Sequence, residues 1–255
     1  MNDESILSGE EMSIHPDTDD GSNRAAGTTR SQSTGLPVTG SVTLAYAGSL
    51  IIALLALIAS LAGLLHGATL YPTEEMRLLN LPTDLFTLLV GLPLLLGSMW
   101  LARRGKLLGL LCWPGVLLYV LYIYVSYAIG VPFNVLFLVY ILIVPMSGYT
   151  LIGLVASIDA LAVRQWLAGA VQERAAGGIL MALAILFSLI NLANIVTALT
   201  SPEPGHLLDL PVWFVDFAVV APAWLVGGWL LWQRMALGDV AGAGLLLLGC
   251  MMCVG

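Results

Sequence analysis

Charged residues are scarce in this chain of 255 residues. They make up 10% of the sequence, whereas 59% of the residues are hydrophobic and the mean hydropathy is +0.94. Soluble domains usually have about a quarter charged residues, so the composition excludes a water-soluble globule. Sixteen acidic residues outnumber nine Lys and Arg, which leaves a net charge of −7 and no basic stretch. Nucleic-acid binding is therefore excluded as well.

Cysteine is also scarce, and the motifs of common enzymes are absent from the sequence. Cys112, Cys250 and Cys253 all lie in apolar segments, which argues against an extracellular disulfide framework. Cys250 and Cys253 could bind copper(I) from one helix face, but cysteines packed as small hydrophobic residues are the simpler interpretation. The chain has no P-loop, no GxSxG and no HExxH. We therefore expect no enzyme activity, no bound metal and no other cofactor.

The first 41 residues are polar and acidic. Ser, Thr, Asp, Gly and Asn dominate this segment, which holds seven of the sixteen acidic residues and two of the nine basic ones. Such a segment cannot bury enough apolar surface to offset its ordering entropy, so we expect a disordered N-terminal tail at 1–41. Because the tail lacks the short basic start of a cleavable signal, the first apolar run is expected to remain in the membrane.

The remaining residues, 42–255, predict an all-α polytopic transmembrane helix bundle. A helix needs about 20 residues to cross the hydrocarbon core of a bilayer. Six full spans and a short seventh are predicted, at 42–65, 85–102, 107–129, 134–158, 175–199, 211–233 and 240–255. The seventh is too short for a full crossing at about 1.5 Å per residue, so we expect a truncated chain or a half-inserted helix. No inverted repeat is evident among these spans.

The positions of Lys and Arg predict the orientation of the bundle. These residues concentrate on the cytoplasmic side of membrane proteins, so the side that holds more of them is expected to face the cytoplasm. If the N-terminus is cytoplasmic, the outer loops hold only Arg77, and the inner segments hold Arg24, Arg30, Arg103, Arg104, Lys106, Arg164, Arg174 and Arg234. A cytoplasmic N-terminus is therefore predicted. The amphipathic stretch 159–174 is expected to lie along the inner surface or to lengthen the neighbouring spans.

Several short motifs stand out between residues 85 and 240. They are Trp100–Gly105, the tyrosines of the third span, Phe133–Tyr140 and His206–Leu210. In these motifs the chain resembles a group of uncharacterised prokaryotic multi-pass integral membrane proteins with six to seven helices. The resemblance implies an all-helical bundle in the plasma membrane of a prokaryote, and it implies nothing about activity. Members of this group usually complete their last helix, whereas the seventh apolar stretch is short.

Polar side chains inside the predicted spans converge near the outer surface. Asp216 lies about one and a half turns into the sixth span, and Asp209 precedes it on the same helical face. The fifth span runs outward and presents Asn191 and Asn194 at the same level. Polar residues of the third span and the start of the fourth also reach this level. The candidate ligand-binding residues are Asp216, Asn191, Asn194, Asn134, Tyr124, Tyr127 and Asp209.

Ionisable groups inside a membrane are costly and often functional, so these residues indicate a small outward-facing pocket. In the first hypothesis, the protein binds or moves a small ion or polar solute through this pocket, with Asp216 as the charged group. In the alternative, the polar groups only link neighbouring helices, and the chain is a structural or sensory subunit. Its expected partners are the lipid bilayer and a membrane protein or a second copy of itself. An intramembrane enzyme that uses Asp216 with His206 is the least favoured hypothesis.

Overall fold

The computed structural model describes residues 36–40, 42–167, 172–200 and 206–254. Most of the predicted tail, 1–35 and residue 41, lies outside these ranges. Within the described residues the chain is helical and has no β-strand, which confirms the all-α prediction. The helices are α1 (Thr43–Leu70), α2 (Glu74–Arg103), α3 (Leu107–Gly130), α4 (Phe137–Ala156), α5 (Ala160–Leu167), α6 (Glu173–Thr200), α7 (Asp209–Trp232) and α8 (Ala236–Val254).

Seven of these helices, all except the short α5, are long and apolar enough to cross a membrane. They coincide with the seven predicted spans in order, and short turns join α1 to α2, α2 to α3 and α7 to α8. The chain therefore has the apolar helices of a multi-pass membrane protein. The last of them, α8, begins at Ala236 rather than at residue 240 and has 19 residues.

The second helix differs most from the predicted span. It begins at Glu74 rather than at residue 85, because Leu78, Leu79 and Leu81 continue the apolar pattern upstream. The side chain of Thr73 caps this start by accepting a hydrogen bond of 3.2 Å from the backbone N–H of Met76. As a consequence, residue 84 lies inside a long helix instead of at its boundary.

Two of the long helices change their winding near the middle. In α2 the segment Thr87–Gly91 is π-helical, and in α7 the segment Asp216–Val220 is π-helical. Pro93 and Pro222 follow these segments. A proline removes one backbone donor from a helix, and a π-helical turn accommodates one extra residue and redirects the side chains around it. Both segments therefore alter which side chains face the interior.

The third helix occupies the centre of the bundle. It packs against α2, α4, α7 and α8, and most of its side chains are buried. By contrast, α6 packs mainly against α7 and leaves a long apolar face uncovered. We call the end of the bundle with Arg103, Arg104, Lys106 and Arg234 the basic end. We call the opposite end, with Glu74, Glu75 and Asp209, the acidic end.

Residues 36–40, at the end of the predicted tail, pair with the basic end of α4. The backbone N–H of Thr39 donates to the carbonyl oxygen of Ser157 at 2.9 Å, and the N–H of Asp159 donates to that of Pro37 at 2.9 Å. Val38 packs against the hydrophobic core. Apolar side chains at Leu36 and Val38 explain why this short segment orders although its composition is otherwise typical of a tail.

Candidate functional site

Asp84 is a buried carboxylate within α2. Its side chain is 1% exposed. The phenol of Tyr71 donates to Oδ2 at 2.7 Å, and the phenol of Tyr127 donates to Oδ1 at 3.2 Å. Gly63 of α1 lies so close that a Cβ added there would collide with the carboxylate. Three helices and the α1–α2 turn therefore enclose this group, and two phenols satisfy its oxygens.

Aromatic rings form a wall around Asp84. Tyr127 lies edge-on to Tyr71, Tyr124 and Tyr140, with ring centroids 6.5, 5.8 and 5.6 Å apart. These are the separations that favour aromatic pairs. Tyr71 lies just outside the apolar part of α1. Burial and the neighbouring carboxylate raise its pKa well above the usual value, so its phenol remains a hydrogen-bond donor.

Asp216 is another of the three buried carboxylates among the described residues, and it occupies the first position of the π-helical segment of α7; the third, Asp239, lies at the basic end of α8. Asp216 is 2% exposed, and the Asn191 side chain of α6 donates to its Oδ2 at 2.9 Å. The phenol of Tyr122 on α3 adjoins the same carboxyl group. Among the described residues, Oδ1 has no geometrically sound hydrogen-bond partner. This oxygen is therefore left to accept a proton or contact a ligand.

A cavity of about 290 Å³ lies among α2, α3, α7 and α8 toward the acidic end, and neither Asp84 nor Asp216 lines it directly. Tyr122, which adjoins Asp216, and Tyr127, which donates to Asp84, both line it. Tyr119 also lines it, and its hydroxyl lies 3.3 Å from that of Thr87. Other polar lining residues come from α2, α3 and α7, and they are Asn80, Thr83, Ser126 and Asp209. Tyr127 therefore connects Asp84 to the cavity through a hydrogen bond, and Tyr122 places a second phenol of α3 in the cavity wall beside Asp216.

Neither Asp84 nor Asp216 has a cationic partner within the described part of the chain. The ion pair found there joins Arg234 and Glu173 at the basic end, at 3.5 Å. An isolated carboxylate in a low-dielectric interior is costly, so such a group takes up a proton or pairs with a cation. The same ranges contain no group of three or more His, Cys, Asp or Glu that could hold a metal ion.

The structure brings together four of the residues that the sequence predicts for the site. Asn191 contacts Asp216, while Tyr127 and Asp209 line the adjacent cavity. Tyr124 lies behind the cavity, where its phenol donates to the carbonyl oxygen of Ala56 at 3.2 Å. It therefore supports Tyr127 through ring packing instead of facing the cavity.

Two predicted residues lie elsewhere. Asn194 is exposed on the surface of α6, one turn from Asn191. Asn134 stays in the turn before α4, where its side chain accepts from the backbone N–H of Leu136 at 2.8 Å and donates to the carbonyl oxygen of Pro132 at 3.0 Å. Its role is to shape that turn, as short amide side chains commonly do.

Three residues of the site, Asp84, Tyr71 and Tyr122, are not among those that the sequence predicts. Asp84 directly precedes the predicted span 85–102, because charges usually end apolar stretches. Its flanking leucines, Leu81 and Leu85, were the signal that it lies inside a helix. Nothing in the sequence marks Tyr71, because the contact depends on how the α1–α2 turn folds back onto α2.

Comparison with protein-family models, curated proteins and solved structures found no match. The function therefore has to be inferred from the geometry of the site alone.

Proposed function

We propose that this protein binds a small cation or polar solute in the cavity among α2, α3, α7 and α8 and moves it across a membrane. The observation that carries the proposal is the pair of buried acids, Asp84 and Asp216, each adjoining a tyrosine of α3 that lines the cavity. Acids buried in membrane-spanning helices are functional candidates by default, since their burial is costly. Seven apolar helices provide the membrane setting.

The cavity limits the size and chemistry of the ligand. Its volume of about 290 Å³ lies at the lower limit of typical ligand pockets, which hold about 300–1,000 Å³. Phenol, hydroxyl and amide groups line it together with apolar side chains such as Met251 and Ile123. Aromatic faces and nearby carboxylates attract a small cation, and hydroxyl groups can replace part of its hydration shell. A large or anionic ligand is not favoured.

We place the protein in the plasma membrane of a prokaryote, as its resemblance to prokaryotic membrane proteins implies. The basic end is proposed to face the cytoplasm, because Lys and Arg concentrate on that side. The cavity lies toward the acidic end and would then receive its ligand from outside the cell. We propose a non-enzymatic role, since no catalytic motif supports a reaction.

A binding experiment with two matched asparagines tests the proposal. Asn191 contacts Asp216, whereas Asn194 is exposed one turn further along the same helix. Purified protein is titrated with sodium, potassium, calcium, methylammonium and choline chlorides while its thermal unfolding is followed. We expect at least one cation to raise the unfolding temperature, because a ligand that binds the folded state stabilises it. Asn191→Ala is expected to weaken that cation's affinity about tenfold.

The same titration includes a matched control and has outcomes that would contradict the proposal. Asn194→Ala is expected to retain the wild-type affinity. If no cation stabilises the protein, or if both alanine variants bind equally well, the proposed site is wrong. A cation that binds is then tested for uptake into proteoliposomes, and Asp216→Asn is expected to abolish the uptake. Unchanged uptake in Asp216→Asn would remove this acid from the transport mechanism.

The second candidate is a non-catalytic structural or sensory subunit. The observation that favours it is the long apolar face of α6, which the other described helices leave exposed. In that case Asp216 and Asn191 only fasten α7 to α6, as polar pairs between membrane helices do. The subunit role predicts that Asp216→Asn loses co-purification with a membrane partner, while cation binding is absent in the wild type as well.

A further inference from the structure

The two turns at the basic end have the same backbone hydrogen bonds at a constant separation along the chain. Gly105 N–H donates to the carbonyl oxygen of Ala102 at 3.0 Å, and 129 positions later Arg234 N–H donates to that of Leu231 at 2.9 Å. Gly105 and Arg234 also share a left-handed backbone, with φ of 73° and 56°. We call two residues equivalent when they lie 129 positions apart in this way. Four more pairs of equivalent hydrogen bonds follow, written as the N–H donor and the carbonyl acceptor: Arg104–Trp100 and Gln233–Trp229, Lys106–Leu101 and Met235–Leu230, Gly109–Lys106 and Gly238–Met235, and Leu110–Lys106 and Asp239–Met235.

The same separation relates α2 to α7. The π-helical segments Thr87–Gly91 and Asp216–Val220 occupy equivalent positions. From these segments to the turns, the buried residues of α2 are Thr87, Gly91, Leu92, Leu95, Ser98, Met99 and Ala102. Those of α7 are their equivalents, Asp216, Val220, Ala221, Trp224, Gly227, Gly228 and Leu231. Both helices therefore bury the same face, although most of the residue types differ.

The relation continues into α3 and α8, where equivalent glycines touch each other. A Cβ added at Gly244 would lie 2.9 Å from the backbone nitrogen of Gly115, and one added at Gly115 would collide with the backbone of Gly244. In a two-fold arrangement, a residue that contacts its own equivalent lies on the axis. The Gly115–Gly244 contact therefore marks an approximate two-fold axis. It runs along the bundle, because α3 and α8 point toward the same end.

The cavity lies on the same axis. Equivalent residues of the two halves line it from opposite sides, and these pairs are Asn80 and Asp209, Thr83 and Val212, Tyr122 and Met251, and Ile123 and Met252. The helices before them also correspond: α1 and α6 both have 28 residues, and each packs against the helix that follows it in its half. The connection between the halves is formed by α4 and α5.

We infer that the chain is built from two three-helix repeats, α1–α3 and α6–α8, and that the cavity opens alternately to either end when the repeats rock about the Gly115–Gly244 contact. This inference rests on the proposed function of the cavity. Parallel repeats with a binding site at their interface are one known architecture of transporters. The acids are distributed between the repeats, with Asp84 in the first and Asp216 in the second.

The position and chemistry of the glycine contact suit a pivot. Gly115 lies one turn from Tyr119 toward the basic end, so the contact closes the cavity on that side. Backbones that touch without interlocking side chains can tilt against each other with little steric resistance. A methyl group at either glycine would hold the two helices apart, because the added Cβ meets backbone atoms that cannot rotate away.

Cysteine labelling in sealed vesicles tests this movement without any solute. Cys112, Cys250 and Cys253 are replaced by Ser, and one reporter cysteine is introduced as Thr83→Cys or Val212→Cys. A membrane-impermeant maleimide is applied from the acidic-end side or from the basic-end side. We expect Gly115→Ala and Gly244→Ala each to raise labelling from the basic-end side about tenfold and to lower it from the acidic-end side.

The opposite changes on the two sides distinguish rocking from simple loosening. Gly97→Ala is the matched control, because a Cβ there would meet no atom within 4 Å, and it is expected to change neither rate. If the variants at Gly115 and Gly244 leave both rates unchanged, or raise both together, the rocking inference is wrong. Because the labelling needs no solute, that result would not decide the cation-binding proposal, which the titration tests separately.

Discussion

At the scale of single residues, the unusual groups are Asp84 and Asp216, two buried acids in the middle of apolar helices. Asp84 has two phenol donors, whereas Asp216 has one amide donor and an oxygen without a good partner in the described residues. A satisfied carboxylate adds rigidity, while an unsatisfied one is free to exchange a proton or bind a cation. The two acids are therefore suited to different tasks, with Asp84 the more structural and Asp216 the more reactive.

Removing one phenol donor tests the structural role of Asp84. Tyr71→Phe keeps the ring but deletes the 2.7 Å hydrogen bond to Oδ2. We expect a loss of about 1–3 kcal/mol in the free energy of unfolding, because a buried carboxylate oxygen then lacks its donor. The measurement is chemical denaturation of the purified protein in detergent. Tyr149→Phe serves as the control, since Tyr149 is 77% exposed. Equal stability of the two variants would contradict the assigned hydrogen bond.

At the scale of helices, the π-helical segments decide which side chains enter the interior. In α7 the segment begins at Asp216 and turns this residue inward toward α3 and α6. In α2 the corresponding segment begins at Thr87, and Asp84 lies one turn before it. Each segment is followed by a proline at the same relative position, Pro93 or Pro222. These prolines explain the altered winding, because each removes a backbone N–H from the helix.

The turn between α2 and α3 provides a prediction at the same scale. Gly105 has a φ of 73°, a conformation that costs other residues about 1–2 kcal/mol. Gly105→Ala is therefore expected to destabilise the protein by about 1 kcal/mol. Gly97→Ala lies inside α2 with open space around it and is expected to be neutral or stabilising, because Ala favours helix more than Gly does. Thermal unfolding of both variants checks the opposite signs.

At the scale of the whole molecule, the two ends of the bundle differ in charge. The basic end has Arg103, Arg104 and Lys106 in one turn, with Arg104 stacked over Trp100 at 4.1 Å. The acidic end has Glu74 and Glu75 at the start of α2. Since α2 joins these ends directly, a label at either end of this helix reports the orientation of the bundle.

Labelling of intact cells checks the proposed orientation. In a protein whose native cysteines are replaced by Ser, we expect Glu75→Cys to react with a membrane-impermeant maleimide. Arg104→Cys is expected to react only after permeabilisation, because Lys and Arg mark the cytoplasmic side. Both positions are exposed in the structure, so burial does not limit the reaction. The reverse pattern would place the basic end outside the cell and would invert the proposed direction of ligand entry.

The number, order and approximate positions of the apolar helices follow from local sequence alone. Hydropathy is a property of each segment alone, so the stretches that form α1, α3 and α6 could be recognised without knowing their neighbours. The excess of basic residues at one end is likewise a local property of the turns. Asp216 could be identified as a candidate because it interrupts an apolar span.

Which faces of these helices meet depends instead on how the folded chain packs. Asn191 and Asn194 have the same side chain on the same helix, yet only Asn191 reaches Asp216. Asp84 became part of the site because α2 extends past it and the α1–α2 turn brings Tyr71 over it. In apolar membrane helices both faces are hydrophobic, so the sequence does not specify their rotation. Packing between helices specifies that rotation, and it also brings Gly115 against Gly244.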